Sequence, residues 1–532
     1  MNKKPVRRML SWGLAVALVL ASAGCGAKTP ADPTDVSQTE PTSEGTQIRY
    51  NDLRLAYARG DQLDPFQAKT TVNRLLTTLL YDSLFVTDEH FEAKPLLAKE
   101  YTTDGLSVTV SLNADIRFTD GTPMTAADVL YSFDLAKEAD AYKARLENFA
   151  SASATGDNAL LFTLASPDPF AAACLDFPII KTGTSAEDRK KAAEESPDAD
   201  APKTTDQVVP VGSGRYILQY EEGENDPVLV AYNDRFMGFF PQMSVIRLVN
   251  ISDASALFYS LEIGNISFAF DDLASGQYTR VNATISEYPM NHIIYLGMNQ
   301  DNAVLANSTV RQAIAAAIDR EEILNVAFQG HATVTHTPFN PVWASAAEYE
   351  ASHLDAGSDA LEMLNENGFD KINTYGARND GRVSLSFNLL VVEDNGFKRM
   401  AARQIARELG ELNIKVQITT MPKEEFLNAV ELGKFDLYLG EVSLTPNMNL
   451  NAFFGGSGGA AFGIWGKSAA EAYGSYLSGD IVFDAFMEAF NADMPFIPLC
   501  FRRGIVASVK ELQGTQQASV GDLFADIEEW HF

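Results

Sequence analysis

Residues 116–129 read IRFTDGTPMTAADV, a stretch in which a tight turn leads into a helix. Asp120 and Gly121 form a turn dipeptide, because glycine adopts the left-handed backbone that a tight turn requires. Thr125 can cap the helix that follows, and Asp128 stands where it completes a capping box. The stretch therefore predicts a turn and a capped helix whose inner face continues with apolar residues.

On both sides of this stretch the chain alternates between strand-like and helix-like segments. Residues 107–112, SVTVSL, alternate polar and apolar side chains as a half-buried strand does. Helices are predicted at 70–81, from 308 to before 330 and at 397–409, and strands at 48–57, 414–418 and 435–439. Because 532 residues are too many for one compact core, we expect an α/β architecture of two or three lobes.

The helix near residue 308 also carries charged residues. Ser308 or Thr309 is its expected N-cap, and the apolar residues that follow recur at helical spacing. Arg311, Asp319 and Arg320 lie outside the apolar stripe. We therefore expect these three charged side chains on an exposed helix face.

The first 24 residues differ from the rest of the chain. Four basic residues precede a mostly apolar run at 10–23, and Cys25 comes directly after Gly24. The run is shorter than the roughly 20 residues that cross a bilayer, so it is typical of a secretory signal. The sequence predicts a signal peptide at 1–24 and, in the manner of a bacterial lipoprotein, a lipid anchor on Cys25. The alternative is a plain secretory signal in which Cys25 is incidental.

Residues 25–47 are predicted to be the lipidated cysteine and a solvated tether. The segment is rich in Thr, Pro, Asp, Glu and Ser and holds too little apolar surface to fold. Anchor and tether would hold the working domain just outside the cell membrane, at the cell surface or in a periplasm. Loss of the signal's basic residues changes the net charge from −30 to −34. Nucleic acid is therefore not an expected partner, because its phosphates require a basic surface.

Two cysteines follow Cys25 in the chain. Cys174 and Cys500 could form one disulfide in an oxidising compartment, or they could remain two buried thiols. The sequence leaves both alternatives open.

Five segments in order resemble one family, the family 5 extracellular solute-binding proteins, which are the oligopeptide- and dipeptide-binding components of ABC importers. The segments are 81–85, 116–129, 212–216, 296–320 and 495–499. In the third segment Arg215 stands where the family usually has proline. Since order and spacing agree from roughly residue 50 to 530, the chain is identified as a member of this family.

The resemblance implies a fold of the α/β class, similar to the type II periplasmic binding proteins. Two lobes would close around a hinge, and an extra domain would enlarge the fold. Lobe 1 (domain I) would comprise 48–84, 212–290 and 502–532, the extra domain (domain II) 85–211, and lobe 2 (domain III) 291–501.

The resemblance also implies a function. The chain would capture a ligand, expected to be an oligopeptide, and deliver it to the permease subunits of an ABC transporter without acting as an enzyme. It would need no cofactor and is expected to be a monomer, joined to the membrane by its lipid anchor. Two alternatives stay open: the same fold could bind a nickel chelate, haem or a sugar, or it could serve as a sensory receptor.

The ligand-binding residues are predicted from the resemblance as well. They are Tyr57, Arg59, Asn299, His336, Phe339, Glu441, Asn447 and Trp465. In peptide-binding members an Asp four residues before a Pro pairs with the ligand's free amine. Here Val442 holds that position relative to Pro446, and the adjacent Glu441 could replace the missing acid. The alternative is a solvated surface glutamate, so a free amine, a blocked or cyclic peptide and another cation all remain open.

No catalytic residue or metal ligand is predicted. Residues 453–459, FFGGSGG, fit a G-x-S-x-G pattern around Ser457, but a nucleophile elbow needs a strand before it and a helix after it. His331 and His336 lie in a predicted loop at a spacing that does not favour a metal site.

Overall fold

A computed structural model describes residues 52–195, 208–353, 359–455, 459–515 and 517–532. The predicted signal peptide, Cys25 and the tether lie outside the described residues, and so does Ser457. Within the described ranges, no helix has both the length and the apolar character needed to cross a membrane.

Helices and strands alternate along the whole described chain. The helices are α1 (Thr71–Leu80), α2 (Ala126–Glu138), α3 (Ala186–Glu195), α4 (Leu257–Glu262), α5 (Ser308–Ala317), α6 (Arg320–Ala327), α7 (Ala344–His353), α8 (Ala360–Glu366), α9 (Gly396–Glu411), α10 (Lys423–Glu431), α11 (Asn451–Phe454), α12 (Ser468–Leu477) and α13 (Phe483–Asp493). The strands are β1 (Leu53–Tyr57), β2 (Phe85–Thr87), β3 (Ala93–Pro95), β4 (Ala98–Thr103), β5 (Ser107–Leu112), β6 (Phe149–Gly156), β7 (Ala159–Leu164), β8 (Tyr216–Gln219), β9 (Val228–Ala231), β10 (Val245–Asn250), β11 (Phe268–Asp271), β12 (Thr284–Met298), β13 (Ala332–Val334), β14 (Lys371–Ile372), β15 (Arg378–Asn379), β16 (Ser386–Val392), β17 (Lys415–Met421), β18 (Leu437–Ser443) and β19 (Phe496–Ser508). The predicted α/β class is confirmed.

The turn and helix at 116–129 form as predicted. Gly121 has a φ of 82°, which suits a residue without a Cβ atom. The Asp128 carboxylate accepts a hydrogen bond from the backbone N–H of Thr125 at 2.9 Å, as in a capping box. The predicted strand at 107–112 is β5, and the helix predicted at 70–81 is α1.

Three sheets organise the described chain. A four-stranded sheet of order β1-β10-β9-β8 lies in the predicted lobe 1, and a second of order β4-β5-β7-β6 lies in domain II. The third and largest has seven strands, six of them in the order β11-β19-β12-β18-β16-β17, with β13 paired to β19. Because β11 and the start of β12 fall in the predicted lobe 1, this sheet extends across the predicted boundary.

The seven-stranded sheet is buried on both faces in lobe 2. Successive side chains of β12 point to opposite faces of the sheet, as in any β-strand. Leu296 is therefore buried in one core and Tyr295 in the other. Helices α5, α6, α8 and α9 cover the first face, and α7, α10, α12 and α13 cover the second. Strands buried on both faces read as continuous apolar runs, and that is why LLVV in β16 shows no alternation.

Two long antiparallel strands connect lobe 1 to lobe 2. On β12, Tyr288 packs in the core of lobe 1, whereas Leu296 packs in a core of lobe 2. The pairing of β12 with β19 shifts register between Pro289 and Ile293, so the ladder is interrupted between the two cores. A strand bends most easily where its pairing is broken. This position coincides with the predicted boundary between 290 and 291.

Three expectations about the helix near 308 are wrong. The single helix predicted to end before 330 is two helices, α5 and α6, because the chain is extended at Ile318 and Asp319. The N-cap is Asn307, whose side chain accepts from the backbone N–H of Thr309 at 3.0 Å. Arg311 and Arg320 are buried rather than exposed, because their guanidinium groups satisfy backbone carbonyls inside the lobe. Arg311 donates to the carbonyl of Leu305 at 2.7 Å. Arg320 likewise donates to the carbonyl of Pro498 at 2.9 Å. Asp319, which caps α6, is exposed as expected.

The two cysteines are free thiols. Cys174 is buried in the core of domain II, and Cys500 is buried in a core of lobe 2. The disulfide alternative is therefore excluded in this conformation, and the two thiols are part of separate hydrophobic cores.

Candidate functional site

A cavity of about 440 Å³ lies between domain II and lobe 2. Domain II contributes Ala144, Arg145, Glu147, Asn148, Phe149 and Asp168, and lobe 2 contributes Val442, Ser443, Thr445, Asn447, Asn449, Asn451, Ala452, Gly455 and Gly459. Amide and hydroxyl side chains dominate this lining. Such a surface offers hydrogen bonds to a polar ligand.

One wall of the cavity continues the strand β18. Strand β18 pairs with β12 over its whole length, but it pairs with β16 only at Leu437 and Tyr438. From Leu439 to Ser443 its second edge therefore has no partner strand among the residues that the structure describes. An extended chain can add to such an edge through main-chain hydrogen bonds.

Glu441 lies in this open part of β18, and its charge is already compensated. Its side chain is 14% exposed, and its carboxylate oxygens lie 2.7 Å from Lys398 Nζ and 2.6 Å from Arg502 Nε. His292 Nδ1 lies 3.6 Å away. Burial alone would raise the pKa of Glu441, but the neighbouring His292 and the charges of Lys398 and Arg502 outweigh burial and hold that pKa well below its ordinary value. Glu441 is thus an internal ion-pair acid rather than a solvated surface glutamate.

Asn447 and Asp168 meet across the cavity. The side-chain amide of Asn447 donates to Asp168 Oδ2 at 2.6 Å, and its oxygen accepts from the hydroxyl of Thr445 at 2.6 Å. The backbone N–H of Phe170 donates to Asp168 Oδ1 at 2.9 Å. Burial raises the pKa of Asp168 to about 6 against the opposing effect of these hydrogen bonds. This pair joins domain II to lobe 2 at the cavity itself.

Aromatic side chains extend the contact between domain II and lobe 2. The ring of Phe170 lies 5.0 Å from that of Trp343 and 6.2 Å from that of Tyr476. Phe91, at the tip of the β2–β3 hairpin, is buried in a core of lobe 2. These apolar contacts pack domain II against lobe 2.

A second cavity, of about 730 Å³, lies between domain II and lobe 1 and shares Arg145 with the first. Ion pairs form much of its wall. Arg235 lies 2.8 Å from Asp82, Arg215 lies 2.7 Å from Asp522, and Arg145 pairs with Asp176. The shared arginine makes the two cavities neighbours in one cleft.

Tyr57 and Arg59 lie together at the end of β1 in lobe 1. The hydroxyl of Tyr57 donates to Asp226 at 2.6 Å, and the guanidinium of Arg59 pairs with the same carboxylate. Burial and the bond to Asp226 raise the pKa of Tyr57 to about 12. The structure does not bring this group to the cavity that Asn447 lines.

Asn299 and Trp465 lie together at the far end of β12. Asn299 donates to the carbonyl of Phe435 at 3.0 Å, and Gln300 accepts from the backbone N–H of Trp465 at 2.9 Å. In the sheet, Glu441 of β18 lies opposite Ile294 of β12. Asn299 comes five residues after Ile294, a distance of about 17 Å along an extended strand. The structure therefore separates these two predicted residues from the part of lobe 2 that lines the cavity.

His336 and Phe339 belong to the loop after β13. The loop is fixed by the buried Glu350, which accepts from the hydroxyl of Thr335 at 2.9 Å and from the backbone N–H of His336 at 2.7 Å. Phe339 is buried, with its ring 5.0 Å from that of Trp343. Phe339 thus packs against Trp343, whose ring also contacts Phe170 of domain II.

Sequence reasoning missed Asp168 and Arg145. Asp168 stands in SPDPF, where an Asp before a Pro indicates only a turn, and no local signal places it opposite Asn447. The two residues are 279 positions apart in sequence. Only the folded chain brings such residues together.

Over the described ranges, no group of three or more His, Cys, Asp and Glu side chains is arranged to hold a metal ion. The paired acids around the cleft are instead joined to arginine and lysine.

Comparison with known proteins gives a consistent result. Residues 92–461 match the family model described as bacterial extracellular solute-binding proteins, family 5 middle. The oligopeptide-binding protein AppA of Bacillus subtilis is 25% identical over 357 residues, which cover 64% of this chain and 64% of AppA. The glutathione-binding protein GsiB of Escherichia coli K12 is 26% identical over 371 residues, covering 68% of this chain and 67% of GsiB. The aligned part thus spans just under two thirds of AppA.

Solved structures extend the likeness to nearly the whole fold. AppA of Bacillus subtilis, in complex with a nonapeptide, superposes with a TM-score of 0.56 at 21% identity, covering 90% of this chain and 98% of AppA. NikZ of Campylobacter jejuni, in complex with Ni(L-His), superposes with a TM-score of 0.58 at 20% identity, covering 90% of this chain and 99% of NikZ. At these identities the likeness concerns the fold alone, and the two proteins hold different ligands.

Proposed function

Because the chain belongs to family 5 of the bacterial extracellular solute-binding proteins, the binding components of ABC importers, we propose that it captures an oligopeptide outside the cytoplasmic membrane and delivers it to a permease. The observation that carries the peptide assignment is the open edge of β18 beside the polar cavity. An extended peptide can pair with this edge, while its side chains enter a lining of amides and hydroxyls.

The cavity supports capture rather than chemistry. Some of its polar groups make hydrogen bonds that fix the walls, as in Asn148, which accepts from the backbone N–H of Ser166 at 3.0 Å. The acids beside the cleft are either ion-paired, as Glu441 is, or held by neutral donors, as Asp168 is. Such groups bind and orient a ligand without activating a nucleophile.

Closure of the two sides is the proposed means of retention. The interrupted ladder between β12 and β19 would serve as the hinge, and the contacts of Asp168 and Phe170 with lobe 2 would form when the cleft closes. We place the hinge near residues 290 and 501, as the sequence predicts, with domain II between the two lobes. A permease would then recognise the closed form.

The lipid anchor is part of the same proposal. Cys25 would hold the mature chain to the membrane, and the acidic tether would let the binding domain reach the permease. In Cys25→Ala the protein is expected to leave the membrane fraction and appear in the soluble extracytoplasmic fraction. Retention of the variant with the membrane would contradict lipid anchoring while leaving peptide binding untouched.

Uptake tests the transport role. Cells that depend on an imported peptide for a required amino acid are expected to grow with the intact gene and to stop growing when it is deleted. A copy carrying Cys25→Ala should restore growth only partly, since binding remains but anchoring is lost. Unchanged growth and unchanged uptake of labelled peptide in the deletion strain would contradict delivery and favour a receptor that only senses its ligand.

A further inference from the structure

Asp168 is a buried carboxylate at the cavity without a cationic partner. It is 3% exposed, and its two oxygens accept from the backbone N–H of Phe170 at 2.9 Å, from the amide of Asn447 at 2.6 Å and from the side chain of Asn449. Among the residues that the structure describes, no charged group contributes to its stabilisation. A carboxylate offers about four acceptor positions, so hydrogen-bonding capacity remains for a ligand.

The other buried acids of the cleft differ from Asp168 in this respect. Asp82 pairs with Arg235 at 2.8 Å, and Glu441 pairs with Lys398 at 2.7 Å. An isolated buried carboxylate costs several kcal/mol unless a cation or proton compensates it. Asp168 is thus the one acid in this comparison whose charge the chain itself leaves uncompensated.

The charged and titratable groups around Asp168 do not supply the missing cation. Within domain II, Arg145 is bound to Asp176, and the neighbouring Cys174 is a buried thiol. Glu147, on the domain II side of the cavity, is exposed and of the same sign as Asp168. On the lobe 2 side Tyr473 and Tyr476 are neutral, because burial raises the pKa of both phenols, that of Tyr476 to about 12.

We propose that Asp168 binds a cationic group of the captured peptide, either its N-terminal ammonium or a lysine or arginine side chain. The inference rests on the proposed function, since it assigns a specificity residue within that binding site. Glu441 does not take this role, because Lys398 and Arg502 already occupy its oxygens. The acid that recognises the cation thus lies on domain II, across the cavity from β18.

The position of Asp168 would connect charge recognition to closure. Its carboxylate is bonded to Asn447 of lobe 2, so the subsite is complete only when domain II and lobe 2 are in contact. A cation bound there would stabilise the closed form more than the open one. The negative charge of the chain, −30 in total, would also favour the approach of cationic ligands.

Binding of a cation at Asp168 should depend on pH with a defined sign. Without ligand the pKa of Asp168 is raised to about 6, and a bound cation lowers it. Affinity for a cationic probe is therefore expected to increase as the pH rises from 5 to 7 and to level off above that. A neutral probe should show no such dependence.

Three peptide mixtures test the assignment on the full chain purified without refolding. The first holds random hexapeptides of uncharged residues with free amino termini, the second holds the same peptides after N-acetylation, and the third holds acetylated peptides that contain one lysine. Mass spectrometry of the retained peptides at pH 7.5 and pH 5 gives the retention ratio of each cationic mixture to the neutral one. We expect a ratio of about tenfold or more at pH 7.5 for at least one cationic mixture, the order of a charge-assisted hydrogen bond, and a smaller ratio at pH 5.

Two variants distinguish the Asp168 carboxylate from another acid of the same cavity. Asp168→Asn should bring the ratio near one while neutral peptides are still retained. Glu147→Gln, which removes an exposed carboxylate from the same cavity, should keep the ratio. Melting midpoints confirm that each variant is folded.

Each outcome decides between defined alternatives. Retention of no peptide by the unaltered chain would overturn both the proposed function and this inference. Peptide retention without preference for a cation would overturn the inference alone, and so would a preference that survives in Asp168→Asn. Loss of the preference in Glu147→Gln but not in Asp168→Asn would assign the role to Glu147 and overturn it too.

Discussion

At the scale of single residues, the ion pairs of Glu441 govern the stability of lobe 2. The change Glu441→Gln leaves Lys398 and Arg502 buried without their acid, at a cost expected to be about 3 kcal/mol of unfolding free energy. Denaturant unfolding measures this loss. As a control, Glu411→Gln breaks an exposed pair with Arg407 and should cost less than about 0.5 kcal/mol. Equal effects of the two changes would contradict a stabilising internal network.

Asp168 should make the ligand-free protein less stable as the pH rises. The pKa of this acid is about 6 in the folded chain, above its value in an unfolded one, so the folded state holds the proton longer. The group therefore contributes a loss of stability that develops between about pH 4 and pH 6. As the pH rises from 4 to 6, the unfolding free energy of Asp168→Asn is expected to increase by about 3 kcal/mol relative to that of the unaltered chain. Urea unfolding at pH 4 and pH 7 measures the gain, and a pH-independent difference would contradict it.

The candidate site could be anticipated from the sequence only in part. Asn447 was predicted and lines the cavity, because it lies in the same local segment as the motif position at Val442. Asn299 and Trp465 are predicted from the family resemblance, which does not indicate which end of a strand faces the cavity. Asp168 had no local signal at all. Contacts between distant segments depend on the packing of whole elements, and a single sequence does not encode that packing in a readable pattern.

At the scale of elements, strands β12 and β18 pack tyrosine against glycine. Gly440 of β18 is paired with Tyr295 of β12, and a Cβ atom added to Gly440 would lie 2.3 Å from the ring. Gly440→Ala should therefore lower the unfolding free energy by about 2 kcal/mol, because the buried ring cannot move aside.

A glycine in helix α9 gives the matched control. Gly410 lies within Gly396–Glu411, and a Cβ atom added there would meet nothing within 4 Å. Gly410→Ala should raise the unfolding free energy by about 0.5 to 1 kcal/mol, since alanine has the higher helix propensity. Chemical unfolding measures both variants. Tolerance of Gly440→Ala at the level of Gly410→Ala would contradict the observed packing.

The regular elements were the part of the fold most readily predicted. β5 and α1 follow clean two-residue and 3.6-residue periods, and a capping box marks the start of α2. The prediction of one helix from residue 308 is wrong in part. The apolar periodicity continues through Asp319, where the first helix has ended and Asp319 caps a second one. Long arginine side chains there turn inward to reach carbonyls, and a rule that places charges on the surface does not foresee this.

At the scale of the whole molecule, capture and release of a peptide require that domain II and lobe 2 separate and rejoin. Trp343 of lobe 2 reports this motion, because its ring lies 5.0 Å from Phe170 of domain II in the closed contact. Addition of a hexapeptide mixture is expected to shift tryptophan emission to shorter wavelength as Trp343 becomes shielded from water. Trp343→Phe should abolish the shift, whereas Trp465→Phe, at a side chain 63% exposed, should not. A shift that persists without Trp343 would contradict closure at this contact.

The central claim is that the chain binds a peptide and releases it unchanged. Mass spectrometry of the protein purified from the cell envelope without refolding, first native and then denatured, tests it most directly. The account predicts excess mass in the native spectrum and a set of intact short peptides on denaturation, enriched in those with a free amine or a basic side chain. Release of a nickel chelate, haem or a sugar instead would contradict the peptide assignment within the same family.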